Sequence, residues 1–491
     1  MVDVILLYPK TGFDIGAGIT PPFSVLSIAA ELNDDFDIKI IDQRTDKNWK
    51  ERLKKLLRKK PFCVGISSMT GNQINHAINM MKAVREESDV PIVWGGVHAS
   101  LLPRQTLESK YVDYVIRGEG EKTFYELLDF LKNKPKRKEL REIKGLAFFD
   151  NGNYIHAEER PFLDPNELKR TPWHLVNVED YIHSNVVVKG SKRELDIGET
   201  SRGCPYKCGF CYNAMFHKSI WRTMSVEKSV EKIKWHVKKF NLDVIWLRDD
   251  EYFTNPKRCV DISKKLVEDN VKIKWYSSGI RIDLFEKLSD EDIRILVKSG
   301  CEGFRFGIES GNNRILKLIR KNITREQVFD ANKRCRRLNV TPHYAFMAGF
   351  PTETIREVYD TLNMMEKLKK DNPKAKVHVI NLFTPYPGGE LFNMLKEKEF
   401  KTPKTLEGWI DFHHLRDFAL HLTKSERKIL RNIADVSYFT SEAMLDALPD
   451  IVRILFKPMK AWLGFRKDKK RFIFMPEVFL LRKMRNAFMK H

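Results

Sequence analysis

Residues 200–213 read TSRGCPYKCGFCYN, which places Cys204, Cys208 and Cys211 in a C-x3-C-x2-C spacing. Three thiolates from one tight loop can bind three irons of a cubane and leave the fourth iron open to a ligand from outside the protein. A structural zinc site would need a fourth Cys or His nearby, and the nearest, His217, lies six residues beyond the motif. The spacing therefore favours an iron–sulfur cluster with one open iron.

The cysteine motif stands at the start of a series in which apolar runs alternate with helical stretches. The runs are ELDIGETSRGC, DVIWLRDD, KIKWYSSG, GFRFGIES, HYAFMAGF and KVHVINLF. Six strand–helix repeats predict a partial TIM-type (β/α)6 barrel over residues 191–400. In such barrels the active site is built at the C-terminal strand ends, where the motif and the polar residues of this series fall.

A second alternating series precedes the barrel. Its apolar runs are VDVILLY, DIKIID, FCVGIS, PIVWGG and YVIRGE. Between two of them, five apolar residues recur at helical spacing: Ile74, Ala77, Ile78, Met81 and Val84. Five strands with crossover helices predict a flavodoxin-like doubly wound domain over residues 1–135, which would bind a ligand at the carboxyl ends of its strands.

The remaining segments lack this alternation. Residues 136–190 begin with a basic stretch, carry turn signals at Asp150, Asn151 and Gly152, and are predicted to be an irregular linker. Residues 401–491 are predicted to be a mainly helical, basic C-terminal region. Cys63, Cys259, Cys301 and Cys335 are scattered and are expected to be buried small hydrophobes.

The cysteine segment resembles the signature of the radical S-adenosylmethionine (SAM) superfamily. The resemblance implies that Cys204, Cys208 and Cys211 hold a [4Fe-4S] cluster whose open iron binds the amino and carboxylate groups of SAM. It also implies that Phe210 lies beside the adenine. An external electron donor of the flavodoxin or ferredoxin type would reduce the cluster.

Later barrel segments match the same superfamily in order along residues 195–395. RDDEYFTNPKR resembles its second-strand motif, SSGIRID the third, GFRFGIESGNNRIL the fourth and FMAGFPTET the fifth. The candidate SAM contacts are Asp249, Asp250, Ser278, Arg281, Glu309, Ser310 and Gly349. Each has a structural alternative: Glu309 as a salt-bridged carboxylate, Arg281 as a solvated turn cation and Gly349 as a turn glycine.

Small and polar residues end the third, fourth and fifth strands of the first domain, in SSMTGNQ, GGVHAS and RGEGEKTF. With PPFSVLSIAAEL after the first strand, they resemble the cobalamin-binding domain of one radical SAM class. The candidate contacts are Ser67, Thr70, Gly95, Gly96, Val97, His98, Gly118 and Glu119. The D-x-H-x-x-G motif that supplies an axial histidine is absent, since the segment reads YPKTGFDIGAG. His98 could replace that axial histidine, but we expect it to be an exposed loop histidine without a ligand role.

This resemblance implies a cobalamin-dependent radical SAM methyltransferase. A 5′-deoxyadenosyl radical would take a hydrogen atom from an unactivated carbon, and methylcobalamin would supply the methyl group. A cyclase or oxidoreductase of the same class, without net methyl transfer, is the alternative. A cobalamin-binding sensor would have no use for an open cubane, and a nucleic-acid modifier would explain the net charge of +21 but lacks a recognisable binding module.

Residues 451–491 carry twelve Lys or Arg and two acids, interleaved with Phe, Trp, Leu and Met. This pattern suggests an interfacial element on an anionic membrane with a lipid substrate, a docking surface for a polypeptide substrate, or an amphipathic element that closes the barrel. Pro458 and Pro476 are expected to break it into pieces. Without a signal peptide or an apolar run of membrane-spanning length, the expected location is the cytoplasm, with or without peripheral membrane contact.

Overall fold

The five N-terminal apolar runs form parallel strands, as predicted. The computed structural model describes residues 2–12, 19–133, 139–186, 188–397, 400–413, 416–441, 450–473 and 475–488. The strands are β1 (Val4–Tyr8), β2 (Ile38–Asp42), β3 (Cys63–Ser67), β4 (Ile92–Gly95) and β5 (Tyr114–Ile116). They lie in the order β2-β1-β3-β4-β5, so the flavodoxin-like doubly wound prediction is confirmed.

Helices cover this sheet because each carries one apolar face. They are α1 (Phe23–Leu32), α2 (Trp49–Leu57), α3 (Asn72–Glu87), α4 (Val97–Leu101), α5 (Pro103–Leu107) and α6 (Glu121–Asn133). The five apolar residues predicted to share a face of α3 are all buried. Apolar spacing alone therefore identified both the helix and the side that packs on the sheet.

A β-hairpin extends the sheet beyond β5, which corrects the expectation of an irregular linker over residues 136–190. Strands β6 (Leu146–Asp150) and β7 (Asn153–His156) are antiparallel, and β6 pairs with β5. Asn151 and Gly152 both have positive φ, 48° and 81°, as a two-residue turn between twisted strands requires. The turn residues Asp150, Asn151 and Gly152 therefore belong to a β-hairpin and not to an irregular loop. The rest of the segment contains short 3-10 turns, at Leu140–Glu142, Pro165–Glu167, Trp173–Leu175 and Val178–Tyr181.

Six parallel strands form the partial barrel, also as predicted. They are β8 (Glu194–Asp196), β11 (Val244–Leu247), β12 (Lys274–Ser277), β13 (Phe304–Glu309), β14 (Pro342–Ala348) and β15 (Lys376–Leu382). Two three-stranded sheets, β12-β11-β8 and β13-β14-β15, are joined by parallel bridges from Trp275 to Cys301 and from Ile280 to Phe306. A short antiparallel pair, β9 (Ser201–Arg202) and β10 (Arg222–Thr223), brackets the cysteine loop.

Helices follow the barrel strands and pack on their outer side. They are α7 (Asn213–Phe216), α8 (Val226–Phe240), α9 (Pro256–Glu268), α10 (Ile282–Phe285), α11 (Asp290–Lys298), α12 (Asn313–Leu318), α13 (Arg325–Arg337), α14 (Ile355–Asp371) and α15 (Glu390–Lys396). Ser and Thr side chains cap several of their first turns, for example Ser289 on α11 and Thr354 on α14. One continuous apolar core joins the first domain to the barrel.

The C-terminal region is mainly helical, as predicted. A 3-10 turn at Glu407–Trp409 is followed by α16 (Lys424–Phe439), α17 (Asp450–Asp468) and α18 (Pro476–Phe488). The expected break at Pro458 is wrong, because this proline lies inside α17. A proline removes only one helical hydrogen bond, and the turns on both sides continue here. No helix in the described ranges has both the length and the apolarity needed to cross a bilayer.

Candidate active site

The three clustered cysteines lie in the loop between β9 and α7, at the C-terminal ends of the barrel strands. Their thiols are unpaired and partly exposed. Backbone hydrogen bonds fix the loop, since Gly209 donates to Ile319 O at 3.0 Å and accepts from Leu391 N at 3.0 Å. Burial raises the pKa of Cys204 to about 12 and of Cys211 to about 11. Metal ligation would have to deprotonate these thiols.

The thiols are not arranged around a single ion. Within the described residues, no three Cys, His, Asp or Glu side chains come close enough to share one metal ion. A cubane does not require such closeness, because each thiolate binds a different iron. The other four cysteines are buried and unpaired, which confirms the expectation for them.

Two cations, Arg281 and Lys321, lie beside Cys208. Arg281 Nη1 is 3.7 Å from Cys208 Sγ, and its Nη2 donates to Lys321 O at 2.5 Å. The guanidinium also stacks 3.8 Å above the ring centroid of Tyr206. Arg281 is buried, so the alternative of a solvated turn cation is wrong. The position suits the compensation of negative charge on a thiolate-bound cluster.

Glu309 ends β13 in a strained backbone conformation. Its φ is 71°, and the register between β13 and β14 shifts between Gly307 and Glu309. The carboxylate forms an ion pair with the buried Lys321, with Oε1 and Nζ 3.3 Å apart. Burial lowers the pKa of Lys321, but the charges of Glu309 and Cys208 more than compensate and raise it overall. Glu309 is thus the salt-bridged carboxylate of the structural alternative, at the edge where SAM contacts are expected.

The carboxylates of Asp249 and Asp250 accept hydrogen bonds from residues just before the cysteine loop. Asp249 Oδ1 accepts from the backbone N and Oγ1 of Thr200 at 3.0 and 2.9 Å and from Ser201 Oγ at 2.5 Å. Burial raises the pKa of this carboxyl group. Asp250 accepts from Gly203 N at 3.1 Å. Both carboxylates therefore fix the strand and turn that lead into the thiols.

Ser278 and Ser310 occupy different settings at the strand ends. Ser278 is exposed, and its hydroxyl donates to Leu247 O at 3.2 Å. Ser310 is buried, and its Oγ accepts from Asn312 N at 3.2 Å. Of the two serines, only Ser278 therefore presents its side chain to solvent.

The turn after β14 is built on a buried carboxylate. Glu353 Oε2 accepts from Gly349 N at 2.6 Å and from Phe350 N at 3.2 Å. Burial raises the pKa of Glu353 to about 8. Gly349 has a φ of 85°, so glycine is needed for the turn itself. The same turn brings the Phe350 ring centroid to 6.0 Å from that of Phe210.

Thr352 in this turn also has a left-handed backbone, with a φ of 67°. This is an outlier for a β-branched residue. Arg314 holds it by donating from Nη1 to Thr352 Oγ1 at 3.1 Å and from Nη2 to Thr352 O at 2.9 Å. Strand β13 therefore ends in a strained residue, and the turn after β14 contains another.

A cavity lies between the carboxyl edge of the first sheet and the barrel. It encloses about 970 Å³ including its open mouth. Its walls include six predicted contacts of the first domain, Ser67, Gly95, Gly96, Val97, Gly118 and Glu119. The barrel contributes Glu199, Arg202, Phe216 and His217, which precede and follow the cysteine loop. The candidate cobalamin contacts thus face residues that flank the cysteine loop, whereas the three cysteines and the candidate SAM contacts do not line this cavity.

His98 is not an exposed loop histidine, which corrects that expectation. It lies on α4 and is fully buried, with Nδ1 2.9 Å from Thr70 Oγ1. Burial lowers the pKa of His98 to about 3, and its Nε2 has no hydrogen-bond partner among the described residues. Its ring lies against Trp409 of the C-terminal region. Thr70 and His98 therefore form a pair beside the cavity, and neither lines it.

The side chain of Glu119 is bound in an ion-pair network between the domains. Its Oε1 lies 2.9 Å from Arg222 Nη2, and the neighbouring Glu121 Oε1 lies 2.8 Å from Arg202 Nη1. Burial raises the pKa of Glu119, but the two arginines outweigh this effect and lower it overall. These pairs, and the position of Lys321, could not be predicted from the sequence, because the partners of each pair come together only when the chain folds.

Two family models match the chain. The Radical SAM superfamily model matches residues 199–365, and the B12 binding domain model matches residues 16–128. The chain is 31% identical over 398 residues to an uncharacterised methyltransferase of Pyrococcus horikoshii, an alignment that covers 80% of this chain and 83% of that protein. This chain belongs to the cobalamin-dependent radical SAM enzymes. Its cofactors are a [4Fe-4S] cluster, SAM and cobalamin.

This cobalamin-dependent radical SAM enzyme has relatives with different reactions. It is 25% identical over 398 residues to the anaerobic magnesium-protoporphyrin IX monomethyl ester cyclase of Cereibacter sphaeroides, which covers 80% of this chain and 63% of the cyclase. Its fold is similar to that of OxsB, a cobalamin-dependent SAM radical enzyme solved with aqua-cobalamin and SAM bound. That match has a TM-score of 0.73 and 18% identity, and it covers 100% of this chain and 76% of OxsB.

The residues of this radical SAM enzyme fit its cofactors. Three thiols on one loop, with Arg281 and Lys321 beside Cys208, suit an anionic cluster with an open iron. At Gly95 and Gly118 no atom of the described residues lies within 4 Å of the position that a Cβ would take, which leaves room for a large ring at this edge of the first sheet. The cavity beside these glycines is where cobalamin would lie.

Proposed function

We propose that this enzyme is a methyltransferase that adds a methyl group to an unactivated carbon of its substrate. The observation that carries the proposal is the shared cavity, because the glycine edge of the first domain faces residues on both sides of the cysteine loop. When bound, the cluster and SAM supply a radical that removes a hydrogen atom from carbon, and cobalamin supplies the methyl group. A substrate carbon held in the cavity would be within reach of both.

The chain's own residues would hold and orient these groups. Cys204, Cys208 and Cys211 would bind three irons, and Arg281 would stabilise the cluster charge from its buried position. Glu309, Ser310, Gly349 and the other strand-end candidates would position SAM, with Phe210 beside its adenine. The buried walls around the cavity would keep water from the reacting carbon.

Relatives support both methyl transfer and its alternative. The Pyrococcus horikoshii relative is named as a methyltransferase, whereas the Cereibacter sphaeroides relative is a cyclase. A cyclase would remove hydrogen by the same radical route without consuming a methyl group. The two reactions therefore differ in their products from SAM.

The test is anaerobic reconstitution with iron, sulfide, cobalamin and a flavodoxin or ferredoxin reductant. Mass spectrometry would follow the SAM products with candidate substrates. Methyl transfer predicts 5′-deoxyadenosine and S-adenosylhomocysteine in equal amounts, because a second SAM must restore the methyl group. Formation of 5′-deoxyadenosine without S-adenosylhomocysteine would favour the cyclase reaction. Failure of the purified protein to bind a corrinoid would contradict both reactions.

Replacing Cys208 by alanine should abolish both the cluster absorbance and deoxyadenosine formation. Cys335→Ala is the matched control, because it removes the same thiol from a buried site away from the loop. It should leave both properties unchanged. Deoxyadenosine formation by the Cys208 variant would refute the assignment of the cluster ligands.

We also propose that the C-terminal helices contact an anionic membrane surface. Five large apolar side chains are exposed there, Trp462 (48%), Phe465 (43%), Ile473 (70%), Phe479 (57%) and Leu480 (60%). Exposed basic residues accompany them, and Lys483 Nζ lies 4.8 Å above the ring centroid of Phe479. Aromatic side chains below the headgroups with cations at headgroup level are the arrangement of an interfacial helix.

Cosedimentation with vesicles tests this contact. The protein should pellet with phosphatidylglycerol vesicles and not with phosphatidylcholine vesicles. Phe479→Ser with Leu480→Ser should weaken binding by about tenfold or more, since each side chain loses its apolar burial. Phe149→Ser, at an exposed aromatic on β6, is the control and should bind as before. Equal binding by the double variant would contradict membrane contact and favour docking of a polypeptide.

A further inference from the structure

The inner side of the barrel carries an arginine, Arg305, that forms no ion pair with any acid in the described ranges. On β13, Phe304 and Phe306 point outward and pack against Phe285 of α10. Because side chains alternate along a strand, Arg305 points into the barrel lumen. There its guanidinium carbon lies 5.3 Å from the ring centroid of Trp246 and 5.8 Å from that of Tyr276. Three strands thus bring a cation and two aromatic rings together.

No acid of the described chain neutralises Arg305. Its Nε is buried without a hydrogen-bond partner. Burial lowers the pKa of its guanidinium, Tyr276 raises it, Arg248 lowers it further, and no carboxylate contributes. The side chain is half-buried, and its desolvated, unpaired Nε is unfavourable unless an anion that enters the site supplies an acceptor.

The acids around Arg305 are already paired with other cations. Arg248, which lies 5.0 Å from the ring centroid of Trp246, forms an ion pair with Asp196 and keeps 40% of its side chain exposed. Glu302 lies 2.9 Å from Lys274, and Glu309 is paired with Lys321. The ring of His343 lies 3.3 Å from Tyr276 Oη, and burial lowers the pKa of His343 to about 3, so this ring is neutral. Among these described side chains, Arg305 is the cation that an entering anion would find without a carboxylate.

We propose that Arg305, with Arg248, binds an oxyanion of the substrate, a phosphate or a carboxylate, inside the barrel. A guanidinium presents a planar fork of donors that matches both groups. Trp246 and Tyr276 would hold the plane of Arg305 by stacking. This inference rests on the proposed function in assuming a substrate, and it adds to the cavity between the domains a site for one anionic group of that substrate in the barrel lumen.

Arg305 shares its strand with the ion pair of Glu309 and Lys321. Glu309 follows four residues later on β13, or about 13 Å at roughly 3.3 Å per residue. At Gly307, between them, a Cβ would lie 2.6 Å from Glu309 Oε1 and 3.2 Å from Lys321 Nζ, so the ion pair occupies the space beside this glycine. The substrate class is therefore an anionic molecule whose charged group lies at Arg305, separated from the end of the strand by this ion pair.

The experiment measures anion binding without turnover. Titration calorimetry of the reconstituted holoenzyme would use inorganic phosphate in one arm and acetate in the other. Arg305→Met should weaken binding of the preferred anion by about tenfold or more, as expected for loss of a charge-assisted hydrogen bond. Tighter binding of phosphate would identify a phosphate-bearing substrate, and tighter binding of acetate a carboxylate.

Arg294→Met is the matched control, because Arg294 is exposed on α11 and paired with Glu291 at 3.2 Å. It should bind both anions as the wild type does. Arg305→Lys keeps the charge in case the methionine variant fails to fold, and it should bind with intermediate affinity. No anion binding in the wild type, or equal binding in the Arg305 variants, would overturn the proposal. Because no turnover is needed, this result is independent of whether the enzyme methylates or cyclises.

Discussion

At the scale of single residues, the buried Glu353 makes the stability of the turn after β14 depend on pH. Its pKa is raised to about 8 by burial. Between its ordinary pKa of 4.5 and about 8, the unfolded chain loses the proton while the folded chain keeps it. The stability that this group contributes is therefore complete below pH 4.5 and is lost as the pH rises through about 8.

Glu353→Gln keeps an acceptor for Gly349 N and Phe350 N and removes the titration. The melting temperature of the variant relative to wild type should therefore rise by a few degrees between about pH 5 and about pH 8. Thermal unfolding at both pH values measures the difference. Glu353→Ala is the control, since it loses both hydrogen bonds and should melt lower at either pH. If the difference in melting temperature between the Gln variant and the wild type is the same at both pH values, the carboxyl group does not titrate in this range.

Residues that form a local motif could be predicted from the sequence, whereas residues that act through distant partners could not. The spacing of Cys204, Cys208 and Cys211 is visible in a single loop. Lys321 and Arg305 could not be identified from the sequence. The ion pair of Lys321 with Glu309 forms only when the chain folds, and only the folded structure shows that no acid lies beside Arg305. Arg281 was found through its motif, but its burial beside Cys208 was not.

At the scale of elements, the glycine edge of the first sheet should control corrinoid binding. Gly95 ends β4, and no atom in the part of the chain that the structure describes lies within 4 Å of its missing Cβ. Gly95→Leu would therefore place a side chain in the cavity without a clash inside the fold. We expect at least about a tenfold loss of cobalamin affinity with little change in melting temperature, because the bulk would occupy the ring's position. Absorbance titration with hydroxocobalamin measures this affinity.

Gly464→Leu is the control for this substitution. Gly464 lies in α17 and also has free space around its missing Cβ. The control should bind cobalamin as the wild type does. Unchanged affinity in the Gly95 variant would place the corrin ring elsewhere.

Most of the elements could be predicted because periodicity fixes them locally. The eleven parallel strands of both domains follow apolar runs, and α3 follows its helical face. The β6–β7 hairpin was missed because Asn151 and Gly152 are equally good residues for a loop, and pairing with β5 decides between the two. The predicted break at Pro458 was wrong because a single proline can weaken a helix without ending it.

At the scale of the whole molecule, buried ion pairs lock the cobalamin domain onto the barrel. Arg202 and Glu121 come from different domains, lie 2.8 Å apart and are both nearly inaccessible. Arg202→Met should leave Glu121 as an uncompensated buried charge and cost about 3–5 kcal/mol. A drop in melting temperature of several degrees is the expected result.

The double variant Arg202→Met with Glu121→Gln separates pairing from packing. It should recover much of the lost stability, because no unpaired charge remains. Thermal unfolding of the two single variants and the double variant gives the coupling. If the two losses simply add, the pair does not hold the domains together.

The strained residues Glu309 and Thr352 have a consequence for engineering this enzyme. Each holds a left-handed backbone that glycine would adopt freely, at an expense of about 1–3 kcal/mol. Glycine at 309 would, however, delete the carboxylate paired with Lys321, and glycine at 352 would release the anchor of Arg314. Because a buried Lys321 without its carboxylate would cost about 3–5 kcal/mol, more than the strain relieved, selection for heat resistance alone should keep Glu309. Glycine at 352 gives up only the contact with Thr352 Oγ1, so the same selection should accept it there. Of the two left-handed residues, one is therefore open to stabilisation and the other is held in place by its own ion pair.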